Sequence, residues 1–142
     1  MLRMTNLFLV LAFLLTPLLL VGCEAKVVHT KVEPATKEKL ESGIYRLTLT
    51  ERAIERIDVQ TTEITTGSNG QLLMPYSALI YDLYGDTWAY TNPEPRVFVR
   101  EAVTVDVIEG DWVHMTAAPK EGTLVVTVAA AELYGAETGI GK

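Results

Sequence analysis

Short alternating runs of apolar and polar residues, separated by turn residues, make up most of the chain from Gly43 onward. Tyr45, Leu47 and Leu49 alternate with polar residues, which is the period of two expected of a half-buried strand. Strands broken by turns roughly every 8–12 residues indicate a β-sandwich or a small barrel. We therefore predict that residues 43–142 form one all-β domain, a small β-sandwich or barrel-like fold.

One short helix is expected within this strand pattern. Thr50 can cap a helix over Glu51–Ile57, because a threonine at this position accepts a hydrogen bond from a free backbone N–H. Ala53, Ile54 and Ile57 share one face at helical spacing. The helix would therefore pack one apolar face against the sheet.

The rest of the domain is predicted to be strand and loop. Residues 97–105 are predicted as the longest strand, and residues 92–95 as a loop. Residues 130–133 are expected to form at most one helical turn, and residues 135–142 are expected to fray.

The first 22 residues have the composition of an export signal. Arg3 supplies a positive charge, and residues 7–21 are apolar apart from Thr16 and Pro17. A membrane-spanning helix needs about 20 apolar residues, so this run is short for a span and suits an N-terminal signal helix. An uncleaved transmembrane anchor remains an alternative.

Cys23, the only cysteine, directly follows this apolar run. Residues 20–23 read LVGC, which resembles the bacterial lipoprotein signal, in which the cysteine is lipidated and becomes the new N-terminus. We predict a signal peptide over 1–22, a lipidated tether over 23–42 and the β domain over 43–142. An ordinary cleaved signal with an incidental cysteine is the other alternative.

Lipidation at Cys23 predicts a location in the cell envelope. Acyl chains stabilise membrane attachment by about 0.8 kcal/mol per buried CH₂, so the protein would be held on a bilayer, facing the periplasm or the cell exterior. Residues 24–42 are mostly polar and are expected to be a partly disordered tether. A weak helix over 36–41 is an alternative there.

Charge and cysteine content exclude several classes of function. The net charge is −6 and no basic patch stands out, which argues against nucleic acid as a partner. If Cys23 is acylated, no thiol remains for a disulfide, for thiol catalysis or for a thiolate metal site. The exported domain would then be stabilised by packing alone.

Residues with catalytic or metal-binding potential lack the spacing that such chemistry needs. His29 and His114 have no metal ligand at a suitable spacing. The carboxylates within 82–86 and 109–111 are too few for a calcium loop, and Ser77 has no nucleophile motif around it. We therefore expect no enzymatic activity, no metal and no other cofactor.

Aromatic and sulfur-containing side chains are the remaining ligand candidates. Four aromatic residues could line a pocket for a small apolar ligand, or could instead fill the core: Trp88, Tyr90, Phe98 and Trp112. Met74 and Met115 could bind a soft metal. Without supporting spacing, we expect both methionines to be core residues.

Two consecutive stretches resemble a known family. Residues 74–81 read MPYSALIY, and residues 84–92 read YGDTWAYTN. They resemble the P-x-S-A-L strand and the G-D-x-W-V-Y hairpin near the carboxy terminus of periplasmic adaptor subunits, the membrane fusion proteins of RND-type efflux pumps. Residues 98–105 are similar to the next strand of that family, and residues 122–126 to its G-x-x-V-V strand. The resemblance extends to about Glu137.

The resemblance implies a membrane-proximal domain. In that family this domain is built from segments near both chain ends, with a lipoyl-like domain, a helical hairpin and most of a β-barrel between them. Residues 45–62 are similar to the amino-terminal segment, and only residues 65–70 stand in place of the intervening domains. Such a chain could not bridge to an outer membrane channel by itself.

Two functions follow as expectations. The resemblance implies a non-enzymatic component or accessory of transmembrane transport, docked on the extracytoplasmic face of an RND-type inner membrane transporter. The alternative is a stand-alone envelope lipoprotein that binds a small apolar ligand or an envelope component. The binding surface cannot be assigned to particular residues from the sequence.

Overall fold

A computed structural model describes residues 33–139 of the chain. The strands are β1 Ala35–Lys39, β2 Tyr45–Leu49, β3 Gln60–Glu63, β4 Thr65–Thr66, β5 Leu72–Pro75, β6 Ile80–Tyr81, β7 Thr87–Glu94, β8 Val97–Ala102, β9 Thr104–Glu109, β10 Trp112–Ala117 and β11 Leu124–Val128. The helices are α1 Glu51–Ile57 and α2 Ala130–Thr138, and a 3₁₀ turn covers Tyr76–Ala78.

The strands form two antiparallel sheets. The large sheet has the order β1-β2-β8-β7-β11-β3, with β6 also paired to β7. The small sheet has the order β4-β5-β10-β9. The predicted all-β fold is therefore confirmed.

Strands β7 and β11 are buried on both faces, which divides the core into two. Ala89 and Tyr90 are adjacent in β7 and both buried, as are Val125 and Val126 in β11. Because successive side chains of a strand point to opposite faces, each pair contributes to two different cores. The helix-side core comprises Leu47, Leu49, Ala53, Ile80, Tyr90, Phe98, Val126, Ala130 and Leu133. The sheet-side core comprises Ile64, Met74, Ala78, Ala89, Val103, Val113, Met115 and Val125.

Strands from the first half of the domain pair with strands from its second half in the large sheet. In β2, Leu47 lies opposite Phe98 of β8. In β3, Thr61 lies opposite Val126 of β11. A tight turn joins the two halves in the small sheet, where the Gly67 N–H donates to the Gln71 carbonyl at 2.8 Å.

Helix α1 has the predicted bounds, Glu51–Ile57. The Thr50 hydroxyl accepts a hydrogen bond from the Ala53 N–H at 3.2 Å. Asp58 ends the helix in the left-handed conformation, with φ of 50°. The cap predicted from sequence is therefore confirmed.

The predicted tether contains a strand. Ala35–Lys39 pairs antiparallel with β2, from Ala35 opposite Leu49 to Lys39 opposite Tyr45. The weak helix considered over 36–41 was wrong, because backbone pairing with β2 prevails over local composition. The lysines also suit an edge strand, where charge discourages pairing with another chain.

Two further boundaries differ from the prediction. The strand predicted over 97–105 is interrupted at Val103, whose buried side chain joins the sheet-side core as the chain passes from β8 to β9. The longest strand is β7, which continues through Pro93 to Glu94 with a register shift against β8. Residues 92–94 of the predicted loop therefore belong to a strand with a bulge, which tolerates a proline, and Pro95 lies in the turn that follows.

Helix α2 is longer than the predicted single turn. It runs over Ala130–Thr138, where the sequence suggested fraying from Gly135. Leu133 and Glu137 are both buried, and they are four positions apart on one face. Tertiary contacts of this face compensate for the weak helix propensity of the glycine.

Predictions about the signal helix and the lipidated cysteine concern residues 1–23, which lie outside the described residues 33–139. Within that described range, no helix combines the length and the apolar character needed to cross a membrane.

Candidate functional site

The four aromatic candidates do not share a pocket. Tyr90 and Phe98 are buried in the helix-side core, and Trp88 packs against the edge of that core. Trp112 lies on the small sheet and is 45% exposed. Tyr90 and Phe98 therefore fill the core, as one of the two interpretations of the sequence predicted, and Trp88 and Trp112 lie in different sheets.

The remaining candidates occupy ordinary positions or lie outside the described range. Met74 and Met115 are buried in the sheet-side core, which confirms the prediction of core packing. The His114 Nε2 lies 3.5 Å from a Glu109 carboxylate oxygen on the small sheet. Across residues 33–139 no group of three or more histidine, cysteine or acidic residues is arranged to hold a metal. His29 and Cys23 precede those residues.

A cluster of buried charges lies at one end of the helix-side core. We define the charge cluster as four residues from four different elements: Asp82 after β6, Tyr90 in β7, Arg100 in β8 and Glu137 in α2. Arg100 Nη2 is 3.3 Å from Glu137 Oε1. Arg100 Nη1 is 3.9 Å from Asp82 Oδ2. The arginine therefore links the helix to the β6–β7 turn.

Aromatic rings hold the Arg100 guanidinium between them. Its central carbon is 4.2 Å from the centroid of the Trp88 ring and 5.6 Å from that of Tyr134. A guanidinium over an aromatic face gains a cation–π attraction. The rings also shield the ion pairs from water, since the Arg100 side chain is only 14% exposed.

Glu137 is the most deeply buried charged residue of the cluster, with only 4% of its surface exposed. The Tyr90 hydroxyl donates a short hydrogen bond to its carboxylate. Burial, followed by the hydrogen bond and the charge of Glu137, raises the pKa of Tyr90 well above its ordinary value. Tyr90 therefore stays protonated at neutral pH and acts as a hydrogen-bond donor.

Asp82 joins the cluster to the protein surface. Its Oδ1 accepts hydrogen bonds from the backbone N–H groups of Tyr84 at 2.9 Å and Asp86 at 3.0 Å. Its Oδ2 accepts one from Trp88 Nε1 at 3.1 Å. Desolvation by burial favours a higher pKa for Asp82, but these donors and the Arg100 charge together lower it below its ordinary value. The ionised carboxylate thus fixes the shape of the turn.

The charge cluster is suited to holding geometry. Its two carboxylates each face the Arg100 guanidinium, and its one hydroxyl is a donor with a raised pKa. Arrangements of this kind orient the elements that carry them, and breaking one partner leaves an uncompensated charge. The cluster therefore sets the position of α2 and of the β6–β7 turn on the large sheet.

A separate apolar groove lies where β1, α1 and α2 meet. Its volume is about 250 Å³. Seven apolar residues line it, with Arg56 and Glu132 at its rim: Pro34, Ala35, Leu49, Ala53, Ile57, Leu133 and Ala136. A groove with this lining can accept a small apolar group.

Sequence reasoning missed the charge cluster and the groove. One signal for the cluster was present, because Arg100 lies two positions after Phe98 and so faces the same side of the strand. An arginine on the buried face of a strand requires an acidic partner. The partner itself, Glu137, lay in a segment predicted to fray.

Comparison with protein-family models, with curated proteins and with solved structures found no significant match to this chain. The similarity to periplasmic adaptors therefore rests on the motifs quoted above.

Proposed function

We propose that this chain is a non-enzymatic, lipid-anchored accessory of transmembrane transport that docks on the extracytoplasmic face of an RND-type transporter. The observation that carries the proposal is the shared large sheet. Strands β2 and β3 pair with β8 and β11, so segments from both halves of the domain form one sheet. This is the arrangement that the adaptor resemblance implies for a membrane-proximal domain.

The short connection between the two halves supports the same proposal. Strand β4 leads through a turn at Gly67 and Gly70 directly into β5. The domain thus closes over residues 65–70, where full-length adaptors would carry their intervening domains. In this proposal the described domain corresponds to the part of an adaptor that would lie nearest the membrane, with residues 65–70 in place of the domains between its two halves.

The anchor would restrict the domain to the membrane surface. Because β1 begins at Ala35, the segment between Cys23 and the sheet is shorter than the predicted tether. Fully extended, it reaches at most ~40 Å. A lipidated Cys23 would therefore raise the effective concentration of the domain beside membrane proteins.

Labelling and affinity capture test this proposal together. The tagged chain is expressed in its own host with an alkyne-bearing fatty acid, membranes are cross-linked and solubilised, and the captured proteins are identified. We expect label on the chain and recovery of an RND transporter. Cys23→Ala should lose the label, and recovery of the transporter should fall. A labelled chain that recovers no transporter would contradict the docking proposal.

The apolar groove favours a second candidate function, binding of a small apolar ligand. Ala53 and Ala136 line this groove, so a larger side chain at Ala136 should fill it. A fluorescent fatty acid should bind to the purified protein and lose its binding in Ala136→Trp. Glu55→Trp, on the exposed face of α1, is the matched control. No saturable binding to the unsubstituted protein would exclude this function.

A further inference from the structure

The β6–β7 turn exposes two large apolar side chains at its tip. Leu83 is 82% exposed and Tyr84 is 91% exposed, which makes them the most exposed large hydrophobic residues in the described part of the chain. Adjacent exposed apolar residues of this size are uncommon in a soluble domain unless they contact something. We define Leu83 and Tyr84 as the docking tip.

The turn itself does not need these two side chains. The Gly85 N–H donates to the Asp82 carbonyl at 3.1 Å, and the Asp82 N–H donates to the Asp86 carbonyl at 3.0 Å. Gly85 supplies the positive φ, at 88°, as in a type I turn followed by a bulge. Asp82 and Gly85 thus determine the turn, while positions 83 and 84 accept the small polar residues that turns usually carry.

The docking tip is held rigidly from below. The Asp82 carboxylate accepts hydrogen bonds from the backbone N–H of Tyr84 in the tip, from that of Asp86 after the tip, and from the Trp88 indole. Through Arg100 it is connected to Glu137 in α2. A tip fixed in this way loses little conformational entropy when it binds. Through Asp82, the charge cluster therefore also holds the exposed β6–β7 turn in position.

The charge around the tip favours a protein partner over a lipid surface. From residue 57 to residue 95 the sequence contains no lysine or arginine, and Asp86 is exposed beside the tip. Arg100, which lies 3.9 Å from Asp82 at the base of the tip, is only 14% exposed and is also paired with Glu137. Segments that insert into anionic bilayers rely on basic residues at their polar edge. An acidic tip instead suits an apolar pocket that has a basic side chain at its rim.

We propose that the docking tip inserts into an apolar pocket, rimmed by a basic side chain, on an integral membrane protein. Leu83 and Tyr84 would fill the pocket, and Asp86 would face the basic group. The inference rests on the proposed function in taking that membrane protein to be the transporter. Tyrosine is among the residues that are enriched at the energetic centre of protein–protein contacts.

Site-specific photo-cross-linking in intact cells tests the tip. Benzoylphenylalanine replaces Tyr84 in one strain of the anchored chain and Tyr76 in another. Tyr76 is the matched control because it is 46% exposed but lies beside the β9–β10 turn, where its N–H donates to Asp111. We expect a membrane-protein adduct at position 84 with a yield about tenfold or more above that at position 76. The cross-linked peptide should contain apolar residues with a lysine or arginine nearby.

Two sets of variants complete the test. Leu83→Ser with Tyr84→Ser should reduce capture of the partner by about tenfold or more, while Tyr76→Ser should change it less than about twofold. Asp82→Ala keeps the apolar side chains and should reduce cross-linking from position 84, provided that circular dichroism shows a folded domain. Unchanged cross-linking in Asp82→Ala would overturn the role given to Asp82.

The outcomes separate this inference from the proposed function. If the unsubstituted chain and the Leu83→Ser, Tyr84→Ser variant capture a transporter equally well, the inference about the docking tip is contradicted and the proposed function is supported. Position 84 could instead cross-link to a membrane protein of another class, through a peptide with the expected apolar and basic residues. That result would support the docking tip and contradict the proposal that its partner is the transporter. Lipid adducts, or equal yields at positions 84 and 76, overturn the docking tip.

Discussion

The two cores of the molecule lie on opposite faces of the same sheet and differ in polarity. On the sheet side, the buried polar residue is Thr91, whose neutral hydroxyl donates to Glu101 Oε1 at 2.9 Å. The helix-side core adjoins a buried glutamate, a buried tyrosine hydroxyl and a nearly buried arginine. Both cores share β7, where adjacent residues Ala89 and Tyr90 face opposite ways.

Because of this difference in polarity, the two cores determine different features of the fold. Apolar side chains pack without directional bonds, so the sheet-side core determines how closely the sheets approach. Buried ion pairs contribute little net stability because desolvation offsets their attraction, but they require one geometry. The charge cluster therefore specifies where α2 and the β6–β7 turn lie, at the end of the molecule that carries the docking tip.

Removing the glutamate should give the largest effect and tests this contrast most directly. Glu137→Ala leaves the Arg100 guanidinium beside two rings with one carboxylate fewer. We expect the free energy of unfolding to fall by about 3–5 kcal/mol, because a buried charge loses its partner. Urea unfolding followed by tryptophan fluorescence measures the loss. Glu132→Ala, exposed on the same helix, should change it by less than about 0.5 kcal/mol.

A double substitution shows whether charge is the cause. Glu137→Leu combined with Arg100→Met removes both partners and keeps apolar volume. The double variant should recover much of the stability lost in Glu137→Ala, since replacing an ion pair by apolar groups is often neutral. If it is less stable than Glu137→Ala alone, the further loss comes from the missing arginine stem or from Asp82 without its cation, and the unpaired Arg100 charge is not the cause.

The sheet-side core should respond to size and not to charge. Met115→Ala should lower the free energy of unfolding by about 2–4 kcal/mol, because it leaves a cavity between the sheets. Met115→Leu conserves volume and should cost less than about 1.5 kcal/mol. Glu137→Gln is equally conservative in shape, yet it should cost about 2 kcal/mol because charged hydrogen bonds are lost. Equal costs for these two conservative changes would remove the distinction between the cores.

Local signals in the sequence predicted the elements that depend on local contacts. Helix α1 follows from Thr50 and from the spacing of Ala53 and Ile57, and all its capping groups lie within a few residues. Strand β2 follows from the alternation of Leu47 and Leu49, both of which are buried. In both elements, the residues that form the sequence pattern are also the residues whose burial it predicts.

Elements that depend on distant partners could not be predicted in the same way. Glu137 bonds to Tyr90, which lies 47 positions earlier in the chain, so nothing near Glu137 indicates its burial. Strand β1 has the composition of a tether, but it pairs with β2 along its length. The apolar groove forms only where β1, α1 and α2 meet, and the sequence had predicted no strand there.

The hydroxyl of Tyr90 provides the finest test of the comparison. Tyr90→Phe keeps the ring in the core and removes only the hydrogen bond to Glu137, so we expect the free energy of unfolding to fall by about 1–2 kcal/mol at neutral pH.

Folding raises the pKa of Tyr90 above its ordinary value of 10.0. The fold thus favours the neutral hydroxyl, and the stability linked to it is fully present below about pH 10 and is lost as the pH rises further. The difference in the free energy of unfolding between the unsubstituted protein and Tyr90→Phe, measured by urea titration, should therefore become smaller above pH 10. Tyr76→Phe, at an exposed position, should change the free energy of unfolding by less than about 0.5 kcal/mol at neutral pH. If the difference for Tyr90→Phe stays constant above pH 10, ionisation of the Tyr90 hydroxyl is not linked to folding.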